Sequence, residues 1–322
     1  MTGIEIIVPA SRAAWLLLRK LSIGASEIAA LLNRHPWMTP FELWAEKSDL
    51  APPVKETLDM ELGAHIESVA LKFLSKRRPD WIVTPNVIGE GGNFFLDRRA
   101  GLSCTPDAFV TPSEARGLGV CQVKKVSARV FREKWCNGGD PEVPSYVAIQ
   151  VNQEAALTHA TWGCVAALVI GEFSSEFYLL EVPLHAGVIA RIHVEANKFW
   201  HRVAENDPPP PDYGRDGDII RHIYAEDDGG EIDLSGNETV MGLLARREEL
   251  KLIESAGSSA EKERAAIDRR LVHEFLGNAV RGMVGDGRVI EARTIRRAGY
   301  AVEPSHYRQV RIKAPREWSA AA

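Results

Sequence analysis

Five polar side chains in this chain are of the types that metal-assisted hydrolysis needs: Glu67, Asp107, Gln122, Lys124 and Gln150. Magnesium takes oxygen ligands in near-octahedral geometry, with one or two carboxylates and a shell completed by water and phosphate. Asp107 and Glu67 could supply the carboxylates, Gln122 a neutral amide oxygen, and the Val123 backbone carbonyl a further oxygen. Lys124 would then orient an attacking water or offset charge on a phosphate in the transition state. Each residue alone also has a plainer reading. Asp107 follows a proline and suits a turn, Glu67 suits a solvated helix face, and Lys124 beside Lys125 suits a strand end meeting solvent.

The elements that would bring these residues together can be read from periodicity. "GLGVCQVKKVS" (117–127) reads as a short buried strand that turns polar at one end. Gln122 and Lys124 are two apart and so share a face. A glutamine and a lysine side by side there cost free energy unless something binds them. Asp107, in "CTPDAF", is read on the preceding strand, so a hairpin sets it beside both. Glu67 lies in "TLDMELGAHIESVALKFLSKRR", where Leu58, Leu62, Ile66, Ala70, Phe73 and Leu74 recur at helical spacing. Gly63 in that helix costs about 1 kcal/mol against alanine, which points to something packed close. Gln150 falls on a further helix, "PSYVAIQVNQEAALTHA".

Around this group, "WLLLRKLSIGASEIAALLNRHPW" reads as a helix, a break at Gly24 and a second short helix with Ser26 as N-cap. Thr39, Pro40 and Glu42 form a capping box with proline at the first helical position. "DWIVTPNVIGE", "FFLDRRAGLSCTPDAFVTP" and "WGCVAALVIGEFSSEFYLLEVPL" supply strands, and "HAGVIARIHVEANKFWHRVAEN" a closing helix. "DPPPPD" (207–212) is a linker. Two charged amphipathic helices, an antiparallel hairpin, and terminal strands follow it. The expected organisation is a mixed α/β core at 1–206 and a helical–β extension at 207–322.

Composition excludes several classes. The apolar and charged shares, 45% and 26%, are those of an ordinary globular protein, and no apolar run is long enough to span a membrane. The N-terminal apolar patch lacks a basic region before it and is not read as a signal peptide. The four cysteines are scattered without C-x-x-C pairing, which argues against structural zinc or an iron–sulfur cluster and suits a reducing cytoplasm. With a net charge of −5, any nucleic-acid surface must be locally basic. The stretch 288–316 is such a place, with Arg288, Arg293, Arg296, Arg297, Arg308, Arg311, Lys313 and Arg316. It reads equally as a solvated β-hairpin or a phosphate-facing surface.

The order G-x-x-x-E, P-D, x-x-K and helical glutamine resembles the PD-(D/E)XK nuclease superfamily. "IGASEIAALLNRHPWMTPFELWAEK", the W-x-x-x-R-x-x-x-I-x-A-S-E arrangement of "AWLLLRKLSIGASE", and "YVAIQVNQEAALTHATWG" look more narrowly like the YqaJ-type viral recombinases, relatives of the phage lambda exonuclease. The resemblance covers roughly residues 14–170, and "SHYRQVRIK" resembles the ends of longer members more weakly. It implies a PD-(D/E)XK restriction-endonuclease-like α/β core, a mixed central sheet flanked by helices. It also implies an Mg²⁺-dependent exonuclease, with Mn²⁺ substituting, that degrades one strand of linear duplex DNA 5′ to 3′ and leaves a 3′ overhang. The implied partners are DNA ends, a single-strand annealing protein and two further copies of the chain in a ring trimer, in a bacterial or phage-infected cytoplasm. On that pattern Asp107 and Glu67 are the acidic metal-site residues, Lys124 is catalytic and Gln150 is the helical glutamine. Arg19 and Ser26 would hold the terminal 5′-phosphate; an arginine fork and a hydroxyl at a helix N-terminus make a good phosphate site.

Two positions depart from the pattern. The family's E-x-K is Q-x-K here, at Gln122, and the second glutamine of the Q-x-Q helix is Asn152. An amide oxygen can ligate Mg²⁺ but brings no charge, so weaker metal affinity is expected. The rival reading is a weakened or inactive nuclease-fold protein that binds DNA ends. An iron–sulfur nuclease branch would need a cysteine cluster near the C-terminus, and none lies beyond Cys164. An ordinary restriction endonuclease would need a recognition domain, which the sequence does not reveal.

Overall fold

The computed structural model describes residues 3–53, 57–112, 116–253, 258–297 and 305–313. Contacts divide the chain into two units, Met1–Lys47 with Pro53–Pro209 and Ser48–Pro52 with Pro210–Ala322. In the first, β1 (Ile4–Ile7), α1 (Arg12–Lys20) and β2 (Ile23–Gly24) precede α2 (Pro40–Lys47) and the long α3 (Leu58–Arg77). Strands β3 (Trp81–Pro85), β4 (Phe94–Asp97), β5 (Leu102–Cys104), β6 (Ala108–Pro112) and β7 (Gly119–Ser127) follow. Then come α4 (Ala128–Lys134), the short β8 (Cys136–Asn137) and β9 (Asp140–Pro141), α5 (Ser145–Thr158), β10 (Trp162–Ile170), β11 (Ser175–Val182) and α6 (Ala186–Glu205).

The main sheet has the order β11-β10-β7-β6-β3. β10 runs parallel to β7, and the other neighbours are antiparallel. This mixed sheet has α3 packed on one face and α5 on the other. β7 lies at its centre, and its alternation serves two cores. Cys121 and Val123 join Ala70, Leu71 and Leu74 of α3. Val120 and Val126 join Val147, Val151 and Ala155 of α5. Gln122 and Lys124 share the parity of Val120 and so face α5. β10 is apolar almost throughout, as a strand covered on both faces must be. At Gly163 a Cβ would stand 2.3 Å from Val151 Cγ1, so glycine lets α5 approach the strand.

α5 also contacts β4 and β5 of a second sheet, ordered β1-β4-β5-β2, and is buried nearly all round. Its polar residues therefore need partners. Asn152 Nδ2 donates to the Ala148 and Pro183 carbonyls, and its Oδ1 accepts from the His185 amide at 2.8 Å. Gln153 Nε2 donates to the carbonyls of Ile23 at 3.1 Å and Ser103 at 2.9 Å, tying α5 to β2 and β5.

Several local expectations are corrected. Ser26 is not an N-cap: the segment forms only a 3₁₀ turn, Ile28–Ala30, preceded by Glu27. Asp107 lies just before β6 rather than within a strand, where its carbonyl accepts from the Asn86 amide at 3.0 Å. "FFLDRRAGLSCTPDAFVTP" forms the three short strands β4, β5 and β6. A Cβ on Gly63 would meet nothing within 4 Å, so close packing does not explain that glycine. The Thr39 cap is present, with Thr39 Oγ1 accepting from the Glu42 amide at 2.9 Å. All four cysteines are free. Among the described residues no helix is long and apolar enough to cross a membrane.

The second unit contains α7 (Gly217–Ile223), β12 (Glu231–Leu234), α8 (Glu238–Ile253) and α9 (Ser258–Arg270), the last running into a π-helical turn, Leu271–Leu276. Strands β13 (Arg281–Val284), β14 (Val289–Arg297) and β15 (Ser305–Lys313) complete a sheet ordered β12-β13-β14-β15. Leu244, Leu250, Ile267, Leu271, Ile290 and Ala292 form its core. Much of the basic tail is engaged within this unit. Arg288 pairs with Asp286, while Arg293 and Lys313 both pair with Glu291. Arg308 donates to the carbonyls of Ala292, Gly277 and Ala279. The side chains of Arg296 and Arg297, and Arg316 altogether, lie outside the described residues.

Candidate active site

Glu67, Asp107, Gln122, Lys124 and Gln150 all line one cleft of about 790 Å³, and Arg19 and Ser26 line it too. Three elements and one turn deliver the first five. α3 carries Glu67, the turn before β6 carries Asp107, β7 carries Gln122 and Lys124, and α5 carries Gln150. The antiparallel β6–β7 register places Ala108 opposite Cys121, which sets Asp107 against the middle of β7. The Val123 amide donates to Asp107 Oδ2 at 2.6 Å, so one carboxylate oxygen is held by the strand that bears the lysine. Lys124 Nζ donates to Gln150 Oε1 at 3.0 Å.

The carboxyls are not easily ionised in this cleft. Burial raises Asp107 to about 6, against the pull of Lys124 and of the Val123 amide. Enclosure in the cleft, then the Asp107 charge, raise Glu67 to about 7 despite Lys124 and Arg12. Gln122 is buried, and its Oε1 has no hydrogen-bond partner. A cation would suit a buried orphan acceptor beside two carboxyls that resist ionising. Among the described residues no group of three or more His, Cys, Asp or Glu converges as a metal site. Two carboxyls and an amide side chain line the cleft, while Val123 is seen to meet it only through its amide on Asp107; this oxygen-rich set suits a hard cation such as Mg²⁺.

Farther along the cleft, Arg19 is held from three sides. Its guanidinium lies 4.8 Å from the Trp15 ring centroid, donates to Ser26 Oγ at 3.4 Å, and pairs with Glu27. The W-x-x-x-R spacing is thus one turn of α1 stacking an arginine on an indole. Trp15 Nε1 in turn donates to Thr105 Oγ1 at 3.0 Å. Glu27 is buried and also accepts from Lys47 Nζ and the Gly24 amide, each at 2.8 Å. Burial opposes its ionisation, but Arg19 and Lys47 overcome that and hold its carboxyl down at about 2.

Residues 14–161, which include Arg19, Ser26, Glu67, Asp107, Gln122, Lys124 and Gln150, match the family described as the YqaJ-like viral recombinase domain. The chain is similar to this family over that stretch. It is 23% identical over 277 residues to an uncharacterized protein, YqaJ, of Bacillus subtilis (strain 168), covering 83% of this chain and 82% of that one. Two solved structures are more distantly similar. One is the alkaline exonuclease LHK-Exo from Laribacter hongkongensis, at 18% identity and a TM-score of 0.44, covering 61% of this chain and 94% of that one. The other is a phage-related exonuclease from Haemophilus somnus 129PT, at 11% identity and a TM-score of 0.38, covering 58% and 96%.

The same stretch also contains site residues that sequence reasoning missed. Buried Asn86 clamps the loop before Asp107: its Nδ2 donates to the carbonyls of Asn93 and Pro106, both at 3.0 Å. Glu27 and Lys47 look like surface charges in the sequence, and only the fold shows them buried together beneath Arg19. Glu154 is buried behind Gln150, whose Nε2 donates to Glu154 Oε1 at 2.8 Å. Burial and then the Asp107 charge raise it to about 8. Its i,i+4 spacing from Gln150 on α5 was the available signal.

Proposed function

We propose that this chain is an Mg²⁺-dependent exonuclease that resects linear double-stranded DNA 5′ to 3′, leaving 3′ overhangs for recombination by strand annealing. The observation that most supports this reading is the sharing of one cleft by two different groups. The acidic group of Asp107 and Glu67, with Gln122 and Lys124, suits a cation and a scissile phosphate. The Arg19–Ser26 pair suits a second, terminal phosphate. A DNA end offers both at once.

Asp107, Glu67, Gln122 Oε1 and the Val123 carbonyl would hold Mg²⁺, or Mn²⁺ in its place. Bound there, the ion would offset phosphate charge and make a water nucleophilic at neutral pH. Lys124, steered by Gln150, aims its ammonium at the attacking water and the phosphate oxygens. Arg19, braced by Trp15 and Glu27, presents its remaining guanidinium donors with Ser26 Oγ to the 5′-phosphate. The partners proposed with this activity are a single-strand annealing protein and two further copies of the chain in a ring around the DNA, in a bacterial or phage-infected cytoplasm.

Gln122 favours a second reading, a protein that grips DNA ends without cutting them, because an amide brings no charge to the metal. The two readings part on linear duplex labelled at either end, with and without a 5′-phosphate, in Mg²⁺ and in EDTA. An exonuclease releases 5′ label first, prefers the phosphorylated end and stops in EDTA. Tight end binding with no cleavage in any metal, together with cutting restored by Gln122→Glu, establishes the second reading instead.

A further inference from the structure

We infer that Glu154 is a positioning residue: it orients Gln150 and, through it, Lys124, and with a cation in the cleft it brings from α5 the negative charge that Gln122 does not bring from β7. This rests on the metal-nuclease reading above. Glu154 is 1% exposed, yet it is a carboxylate in a helix packed between two sheets. Its Oε1 accepts from Gln150 Nε2, and its Oε2 has no hydrogen-bond partner. Leaving a buried carboxylate half satisfied costs free energy, and such costs concentrate at functional sites.

The hydrogen bonds give the chain of contacts a direction. A primary amide has a donor end and an acceptor end. The ammonium of Lys124 can be met only by the Gln150 oxygen, at 3.0 Å. The Gln150 nitrogen must then point inward, and a carboxylate is the acceptor that fixes it there, at 2.8 Å. Without that acceptor the amide can flip and oppose Lys124 donor to donor. Gln122 faces α5 as well, so its bare Oε1 and the bare Oε2 of Glu154 belong to one β7–α5 interface beside Asp107. Glu154 does not line the cleft, so it acts through Gln150 and, once a cation offsets the burial and the Asp107 charge that hold it neutral, through its own charge.

The test uses the full-length chain and reads Mn²⁺ affinity by electron paramagnetic resonance without DNA, then single-turnover cleavage. Glu154→Gln keeps shape and removes charge. It is expected to weaken Mn²⁺ binding by about tenfold or more and to slow cleavage with it. Adding Gln122→Glu to that variant is expected to restore most of both losses, which a merely structural glutamate would not explain. Should Glu154→Gln not fold, Gln122→Glu alone decides. With Glu154 already supplying the charge, it tightens Mn²⁺ binding by less than about tenfold, and a larger gain overturns the inference. Unchanged affinity and rate in folded Glu154→Gln also overturn it, as does a double variant no better than the single one. If the unmodified protein neither binds Mn²⁺ nor cleaves DNA, the metal-nuclease reading fails and takes this inference with it. If it does both and Glu154→Gln changes neither, only this inference fails.

Discussion

Lys124 is neighbour to two opposite kinds of group, the Gln150 amide that receives its proton donor and the Asp107 carboxyl held on the same strand. Replacing it with alanine removes the cation aimed at the reacting phosphate. Lys124→Ala is expected to lower single-turnover cleavage by about 10²–10³-fold while the chain stays folded, checked by rate and circular dichroism together. Glu67 makes the opposite trade. Its folded value is raised from 4.5 to about 7, so its ionisation penalises the fold as pH climbs through that window. Metal-free Glu67→Gln is therefore expected to melt higher than the parent at pH 8, to match it at pH 4, and to lose activity. At this scale the sequence exposed only what periodicity can expose. Gln122 and Lys124 stand out because they break an apolar alternation. Glu27, Lys47 and Glu154 do not stand out, because a buried charge has the same letter as a solvated one and its partners are distant in sequence.

α3 and α5 are the elements on which the site depends, and they differ in kind. α5 is buried nearly all round, and its Asn152 and Gln153 clasp loops on both sides of it. Asn152 therefore serves the packing of α5 rather than the cleft. α3 is half open, and at Gly63 nothing stands within 4 Å of an added Cβ. Gly63→Ala is expected to stabilise the protein by up to about 1 kcal/mol with cleavage unchanged, measured by denaturant midpoint. The long helices α3, α5, α6, α8 and α9 and the strands β7, β10 and β11 were legible because their apolar periods are long, whereas the seven-residue α4 and α7 were not read. The bounds of the short strands β4, β5 and β6 were not legible, because three to five residues carry too little period to separate turn from strand. Asp107 was misplaced onto a strand for that reason, although its partnership with β7 was foreseen.

Across the whole chain, the net charge of −5 leaves DNA contact to local groups. The C-terminal hairpin spends several of its cations on its own Glu291, Asp286 and backbone carbonyls. The buried Arg19–Glu27–Lys47 network contributes to stability in a pH-dependent way. Glu27 falls from its ordinary 4.5 to about 2 on folding, so its contribution is complete above pH 4.5 and is lost as pH drops toward 2. That amounts to about 3 kcal/mol at most. Glu27→Gln is expected to lower the melting temperature at pH 7 and to flatten its fall between pH 4.5 and 2.

The central claim is that the cleft around Asp107 and Lys124 is a metal-dependent nuclease site. Digestion of linear duplex DNA by the unmodified protein and by Asp107→Asn, each across a Mg²⁺ titration and in EDTA, tests it most directly. The account predicts cleavage that rises with Mg²⁺, stops in EDTA, and is absent in Asp107→Asn at every concentration. Cleavage that persists in EDTA, or that Asp107→Asn retains, contradicts it.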